Sequence, residues 1–493
     1  IHAQPGGRVM PFAVLIRPAY DSRNRSAPAV PWAYLYLAAV LRERGIEVEI
    51  LDEMTVPNLE ARLEQSLAKR PVAVGITAMT GEQIRHGLRW AKYVRERGGA
   101  AIVWGGIHAS LLPEQTARHA LADYVVAGEG EFAFADLVEC LARQGDPAEI
   151  PGVFCERGGE ILGARPQSFV DLAALPEFPY DLVDVERYIT RRPDLGIARH
   201  FEICTSRGCP HHCGFCYIAS VHGSRWRSLE AADCVARIKT VVRRFGVDGI
   251  SFREDNFFVQ RERVEAIARA LITEKANIKW TASCRINYAA RYTPKFLALL
   301  RESGCSLLTF GVESGSDRVL EFIQKDISVA QVLNVARKMS ESGIRATYHF
   351  MGGFPTETTG EFLETCRLID ALRAIAPDTV VREMSIFAPY PGIGLIPACA
   401  ARGYHEPQTL EDWVAMDWTH PERPWLSREQ SRLIADAQFL IARIAHPNAV
   451  VRAWAQWRWG QLVGSRAGIR LVERPWVEAA RNAARWIFRT STG

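Results

Sequence analysis

The stretch CPHHCGFC, Cys209 to Cys216, sets three cysteines within eight positions and offers no fourth nearby. A closed structural zinc site and a ferredoxin-type cluster each require four protein ligands. The segment just before it, FEICTS, reads as a β-strand and opens a series. VDGISFRED, IKWTASCRIN, LLTFGVES, ATYHFMGGF and VREMSIFAPYPG follow, with stretches of helical period between them. Six strands joined by long crossovers predict a partial (β/α)6 barrel of the TIM kind, whose chemistry gathers at the carboxyl ends of its strands. The cysteines fall directly after the first of those strands.

Upstream, residues 12–145 alternate β-rich runs (FAVLI, VEIL, VAVGITA, AAIVWGG, DYVVAGEG) with amphipathic helical stretches. The alternation predicts an α/β, doubly wound, Rossmann-like sheet covered on both faces. Any ligand then sits at the strand ends TAMTGEQ (77–83), GGIHAS (105–110) and GEGE (128–131). No GxGxxG follows the first strand, which argues against a nicotinamide. Pro, Gly and acidic residues crowd 146–198, which reads as a connector with a strand or two. Beyond 400 the pattern turns helical and bears tryptophans. The expected division is 1–145, a connector 146–198, the barrel 199–400 and a helical C-terminal region 401–493.

Composition narrows the class. At 493 residues, with 48% apolar and 24% charged, the chain suits a globular protein of more than one domain. No run of eighteen apolar residues occurs, so no membrane-spanning helix is expected. The opening residues lack the apolar core of a signal peptide, and the 11 cysteines suggest no secreted disulfide framework. A reducing cytoplasm is the expected setting. The net charge of +4 is local, because Ile441 to Gly493 holds nine arginines against Glu473 and Glu478. That stretch carries +7 and the remainder −3, so a nucleic-acid-binding coat is not indicated.

A [4Fe–4S] cluster held by Cys209, Cys213 and Cys216 keeps one iron without a protein ligand. That iron can accept the amino and carboxylate groups of S-adenosylmethionine, whose reductive cleavage yields a 5′-deoxyadenosyl radical. On spacing alone, a zinc knuckle completed by His211, His212 or His222, or an accidental run, stays open. The pattern C-x3-C-x-Φ-C, with Phe215 as Φ, resembles the signature of the radical S-adenosylmethionine superfamily, and the resemblance spans residues 200–395. It implies strand ends that grip the nucleoside and methionine. Glu254 and Asp255 would meet the amino group, Arg285, Glu313 and Ser314 the carboxylate and ribose, and Gly352 and Gly353 the adenine. As bare residues, the carboxylates also suit helix caps, the arginine a core ion pair and the glycines turns.

The doubly wound unit before the barrel is similar to that of the cobalamin-binding subgroup, extending the resemblance over 12–420. The D-x-H-x-x-G motif that would supply a lower axial histidine is absent. The resemblance then implies a cobalamin whose lower face meets Thr77, Ala78, Met79 and Thr80. Gly105, Gly106 and His108 would follow its nucleotide tail, with Glu129 a further contact; a satisfied loop histidine is the alternative for His108. The implied activity is C-methylation of an unactivated carbon, with methyl passing from S-adenosylmethionine through cobalamin. A non-methylating cyclisation, ring rearrangement or oxidation is the alternative, and a non-enzymatic cobalamin sensor a third. Implied partners are a small or amphiphilic substrate and a reductant such as flavodoxin or ferredoxin.

Tyr217, Tyr348, His349 and Tyr390 are barrel-lining candidates without an assigned role. In the tail, PWVEAARNAARWIFR (475–489) gathers Trp476, Ala480, Ala483, Ala484 and Ile487 on one helical face and Arg481, Arg485 and Arg489 on the other. Such a helix either docks on the barrel or lies on anionic lipid at the inner face of the membrane.

Overall fold

The computed structural model describes residues 10–20, 28–166, 168–377, 380–381, 384–416 and 423–465. The expected amphipathic helix at 475–489, docked on the barrel or lying on lipid, falls outside them. Among the described residues no helix is long and apolar enough to cross a membrane.

Two sheets organise the chain. In the first, β1 (Phe12–Arg17), β2 (Glu47–Asp52), β3 (Ala73–Thr77), β4 (Ala101–Gly105) and β5 (Tyr124–Val126) run parallel in the order β2-β1-β3-β4-β5. Every side chain of FAVLI is buried, as a strand covered on both faces requires. The helix Glu82–Arg97 shows how the cover forms. Ile84, Gly87, Trp90, Ala91 and Val94 recur at helical spacing and bury one face, and Gly98 at φ +69° ends the helix. A Cβ on Gly87 would lie 2.8 Å from the Trp104 ring, so helix and sheet meet at glycine.

Residues of the connector join both sheets. β6 (Val153–Arg157) and β7 (Glu160–Gly163) extend the first sheet antiparallel beyond β5, while β8 (Thr190–Arg192) pairs antiparallel with β9 (Ile197–Ile203). A short ladder joins β10 (Ser206–Arg207) to β11 (Arg227–Ser228) around the cysteine loop. The second sheet then runs parallel from β9 through β12 (Gly249–Phe252), β13 (Lys279–Cys284), β14 (Cys305–Glu313) and β15 (Arg345–Gly352) to β16 (Val380–Val381); β17 (Ser385–Ile386) also pairs with β15. These are the six barrel strands expected from the sequence, forming an open, partial barrel. Its helices start where the sequence supplies caps. Ser328 with Gln331 and Thr358 with Glu361 form capping boxes for Val329–Ser342 and Thr359–Ile375.

The C-terminal region packs as helices Arg428–Ile444 and Ala449–Gly464, with Leu433, Ile434, Ala437 and Leu440 in the barrel's core. Before them, a strap at residues 407–416 crosses back to the first sheet. Leu410 and Trp413 are buried among Trp90, Trp104 and Ile84, and the Trp413 indole donates to Gln115 Oε1 at 2.8 Å. Gln115 in turn donates to the Pro407 carbonyl, and His119 pairs with Glu411 at 2.9 Å.

Candidate functional site

Two cavities lie at the strand ends. The smaller, about 330 Å³, is lined by Cys209, Cys213, Cys216, Phe215, Asp255, Arg285 and Glu313, together with Lys325 and His349. It follows β9 and spans the ends of β12 to β14, as the barrel predicts. The Arg285 guanidinium lies 3.2 Å from Cys213 Sγ, and the Asn256 amide lies 3.5 Å from Cys209 Sγ, so donors face the sulfurs. Burial pushes the Cys216 thiol up to about 11, so its proton leaves readily only when a metal replaces it.

The three sulfurs suit a cluster better than a single ion. Among the described residues, no three His, Cys, Asp or Glu converge closely enough to hold one metal ion. Each imidazole that a zinc knuckle would recruit already has a partner. His211 Nε2 bonds the Tyr288 hydroxyl at 2.7 Å, His212 Nδ1 meets Ser224 Oγ at 3.1 Å, and His222 sits between Glu129 and Asp255 at 3.9 Å from each. Three thiols around one roomy cavity, with cationic and amide donors behind them, fit a [4Fe–4S] cluster with an open iron.

Around that cavity, Asp255 and Glu254 diverge. Asp255 lines it and accepts from the Gly208 amide at 2.8 Å. Glu254 tucks under the preceding loop, accepting from the Thr205 amide and hydroxyl and from the Ser206 hydroxyl. Its place is structural, because it fixes the loop that leads to Cys209. Glu313 faces the cavity at the end of a strand with a bulge between Gly311 and Glu313; its φ is +72° and its carboxylate accepts from Lys325 Nζ at 2.6 Å. Ser314, next along, is buried against Thr365. Gly352 backs onto Phe362, and Gly353, at φ +84°, donates to Glu357. Neither glycine lines the cavity. His211 lines it too, and Lys325, Asn256 and Thr309 line it without having been singled out from the sequence.

Glu357 carries a pH signature. It is buried with Oε1 unpaired, and burial pushes its carboxyl up to about 8 despite the bonds from Gly353 and Phe354. An acid whose folded pKa is raised contributes full stability below its unfolded value and loses it as pH rises toward the folded one. The folded protein should thus lose about 3 kcal/mol between pH 5 and 8 through this group. Glu357→Gln should flatten that slope in urea melts across the range. An unchanged slope would mean the proton sits elsewhere.

The larger cavity, about 680 Å³, lies between the first sheet and the barrel. Thr77, Met79, Gly105, Gly106 and Glu129 line it from the first sheet's side, and Cys204, Arg207 and His222 from the barrel's. Gly106 has φ +86°, and a Cβ there would lie 2.1 Å from Thr77 Oγ1, so backbone forms part of this wall. Leu15, Val103, Val126 and Phe134 make its floor apolar. A broad space with an apolar floor and a glycine rim fits a corrin and its tail. Met79 is 49% exposed, presenting its thioether toward this space.

Three expected contacts point elsewhere. Ala78 is buried, and its carbonyl accepts from the His108 amide. Thr80 Oγ1 bonds His108 Nδ1 at 2.9 Å, and the imidazole packs edge-on to Trp413 at 5.5 Å. Burial drives His108 down to about 4, so it is neutral at pH 7 and serves as a core residue tying the first sheet to the strap. Glu129 lines the cavity, but its carboxylate is engaged by Arg227 at 2.7 Å, Arg207 at 3.1 Å and the Val170 amide. Burial alone would raise its pKa; the Arg227 hydrogen bond and both guanidinium charges hold it below the usual carboxylate range. His222 lines the larger cavity and Asp255 the smaller, so this 3.9 Å pair forms part of the wall between them.

The chain matches known proteins in the same two places. Residues 203–369 match the radical SAM superfamily, and residues 24–138 match the B12 binding domain. An uncharacterized methyltransferase, PH0819, of Pyrococcus horikoshii is 28% identical over 437 residues, covering 87% of this chain and 92% of that one. Cytidylyl-2-hydroxyethylphosphonate methyltransferase of Streptomyces wedmorensis is 26% identical over 457 residues, covering 82% and 84%. The fold is shared with the radical S-adenosylmethionine methyltransferase TsrM of Kitasatospora setae, solved with cobalamin and a [4Fe–4S] cluster: TM-score 0.65, 20% identity, covering 81% of this chain and 76% of that one. With three sulfurs on one cavity and a glycine-rimmed space beside it, this chain joins a B12 binding domain to a radical SAM domain.

Proposed function

We propose that the protein is a C-methyltransferase acting on an unactivated carbon of a small or amphiphilic molecule. The observation that carries it is the adjacency of the two cavities, parted by the His222–Asp255 pair. When bound, the cluster supplies the electron that cleaves S-adenosylmethionine, and the corrinoid supplies the methyl group. Residues 1–145 and 199–400 are the two cofactor-binding units in this reading, joined by 146–198.

The chain's own residues hold and shield. Cys209, Cys213 and Cys216 would hold the cluster, and Arg285 places positive charge beside Cys213. Asp255 meets the amino group of S-adenosylmethionine, while the Glu313–Lys325 pair, both at most 10% exposed, frames the far side. Thr77, Met79, Gly105 and Gly106 cradle the corrin. Phe215 packs at 6.2 Å on Phe354 and helps keep water from the cavity. Electrons come from a flavodoxin or ferredoxin type of reductant.

The test is anaerobic turnover of reconstituted protein with a metabolite extract. A product heavier by one methyl group, with S-adenosylhomocysteine and 5′-deoxyadenosine formed together, is the expected result. Deoxyadenosine without matching S-adenosylhomocysteine would instead establish a cyclisation, rearrangement or oxidation.

A further inference from the structure

Each of the three sulfurs has a hydrogen-bond donor, but only one of these donors is charged. The Asn256 amide stands 3.5 Å from Cys209 Sγ, the Ile218 backbone amide bonds Cys216, and the Arg285 guanidinium lies 3.2 Å from Cys213 Sγ. Arg285 directly follows β13, and its planar fork is held on two further sides. Its other N–H groups donate to the Lys325 carbonyl at 2.5 Å and to Asn287 Oδ1 at 3.3 Å. None of these three acceptors is a carboxylate, so the guanidinium meets the sulfur with its charge uncancelled. Lys325, which lines the same cavity, differs: Glu313 takes its ammonium at 2.6 Å, and both side chains are at most 10% exposed.

Hydrogen bonds and positive charge at the ligand sulfurs stabilise the reduced form of an iron–sulfur centre, which carries one more negative charge, and so raise its reduction potential. The step concerned is the passage of one electron from a flavodoxin or ferredoxin type of donor to the oxidised cluster. The donor is oxidised by one electron, and no proton or bond changes hands. We propose that Arg285, acting through the Cys213 sulfur, sets how readily that electron enters, while Asn256 and Ile218 add only neutral hydrogen bonds. This is a different duty from the carboxylate or ribose contact that the family resemblance implied for Arg285. The inference rests on the cluster reading of the smaller cavity and goes beyond it by naming the side chain that tunes the cluster.

A redox titration followed by electron paramagnetic resonance tests it on the full chain, reconstituted with iron and sulfide and kept free of S-adenosylmethionine. Without that ligand, a contact to its carboxylate has nothing to act on. Arg285→Gln keeps an amide donor and removes the charge. At any fixed potential its ratio of reduced to oxidised cluster should lie about tenfold below wild type, a downward shift of about 59 mV for one electron. Arg285→Lys keeps the charge and should fall by no more than about threefold, and so should Asn256→Leu, which loses a neutral donor. A midpoint unmoved in Arg285→Gln at full iron content overturns the proposal; weakened S-adenosylmethionine binding beside it would assign the side chain to the carboxylate. A shift in Asn256→Leu as large as that in Arg285→Gln also overturns it, because the charge would then be irrelevant. Wild type grown on arginine labelled with heavy nitrogen decides without any variant having to assemble. The reduced cluster should show a coupling to that nitrogen in electron–nuclear double resonance, and its absence overturns the contact. Wild type that takes up no [4Fe–4S] cluster would instead remove the reading of this cavity on which the inference rests.

Discussion

Cys213→Ser protein is expected to purify folded and able to take up cobalamin, yet without an iron–sulfur chromophore after reconstitution. Cys213 is the most buried of the three thiols, at 8% exposure, and lies against Arg285. Its hydroxyl replacement is a poor iron ligand and leaves only two sulfurs for a cluster that needs three from this loop. Deoxyadenosine formation from S-adenosylmethionine should fall by roughly a thousandfold or more, since the electron source is lost. Iron analysis, corrin absorbance and nucleoside chromatography on one preparation read all three effects. Retention of a full complement of iron would show that the loop is not the cluster's seat. The larger cavity has its own walls, so cobalamin affinity should stay within about twofold.

Arg207→Ala should be the most destabilising single change away from the cysteines. Arg207 is 12% exposed and pairs with Glu129 and Glu131, whose side chains are 9% and 6% exposed; it also stacks over Tyr36 at 4.3 Å. Removing the guanidinium leaves two buried carboxylates facing each other with Arg227 alone to answer them. Breaking a buried pair by deleting one partner costs about 3–5 kcal/mol, and that is the expected loss in a urea melt. The loss should itself depend on pH. Glu129's folded pKa is depressed, so its contribution exists above the unfolded carboxylate value and disappears as pH falls through the folded one. Wild type and variant should therefore converge in acid. Because Arg207 stands just before the cysteine loop and Glu129 in the first domain's GEGE turn, the variant should also lose cluster and corrinoid together, unlike Cys213→Ser. A variant that melts within about 0.5 kcal/mol of wild type would show these charges to be solvated.

The positions of the strand ends were legible in the sequence, because SFRED, SCRIN and GVES each couple a strand pattern to residues that border the smaller cavity. Parallel strands buried on both faces leave long apolar runs, and their ends are where polar residues first appear. What was not legible is which of two neighbours faces inward. Glu254 and Asp255 are adjacent in sequence, yet one serves the Thr205–Ser206 loop and the other the cavity, a choice made by tertiary packing. Glu313 gains its orientation from a bulge and a left-handed backbone, which no periodicity records. Lys325 follows a short helix with no motif around it and reaches the site only because that helix folds back. For His108 the resemblance implied a ligand contact, but Thr80 bonds its ring and Trp413 packs on it.

Trp413 and Gln115 are 298 positions apart, and this separation has a bearing on biosynthesis. A nascent chain that has released only its opening third carries a front unit still missing Leu410 and Trp413 from its interior. That unit cannot finish consolidating before the strap emerges, so expression of residues 1–145 alone should give aggregation-prone material with an apolar face exposed beside Gln115. Cobalamin uptake is therefore expected to wait until the strap at residues 407–416 has been made.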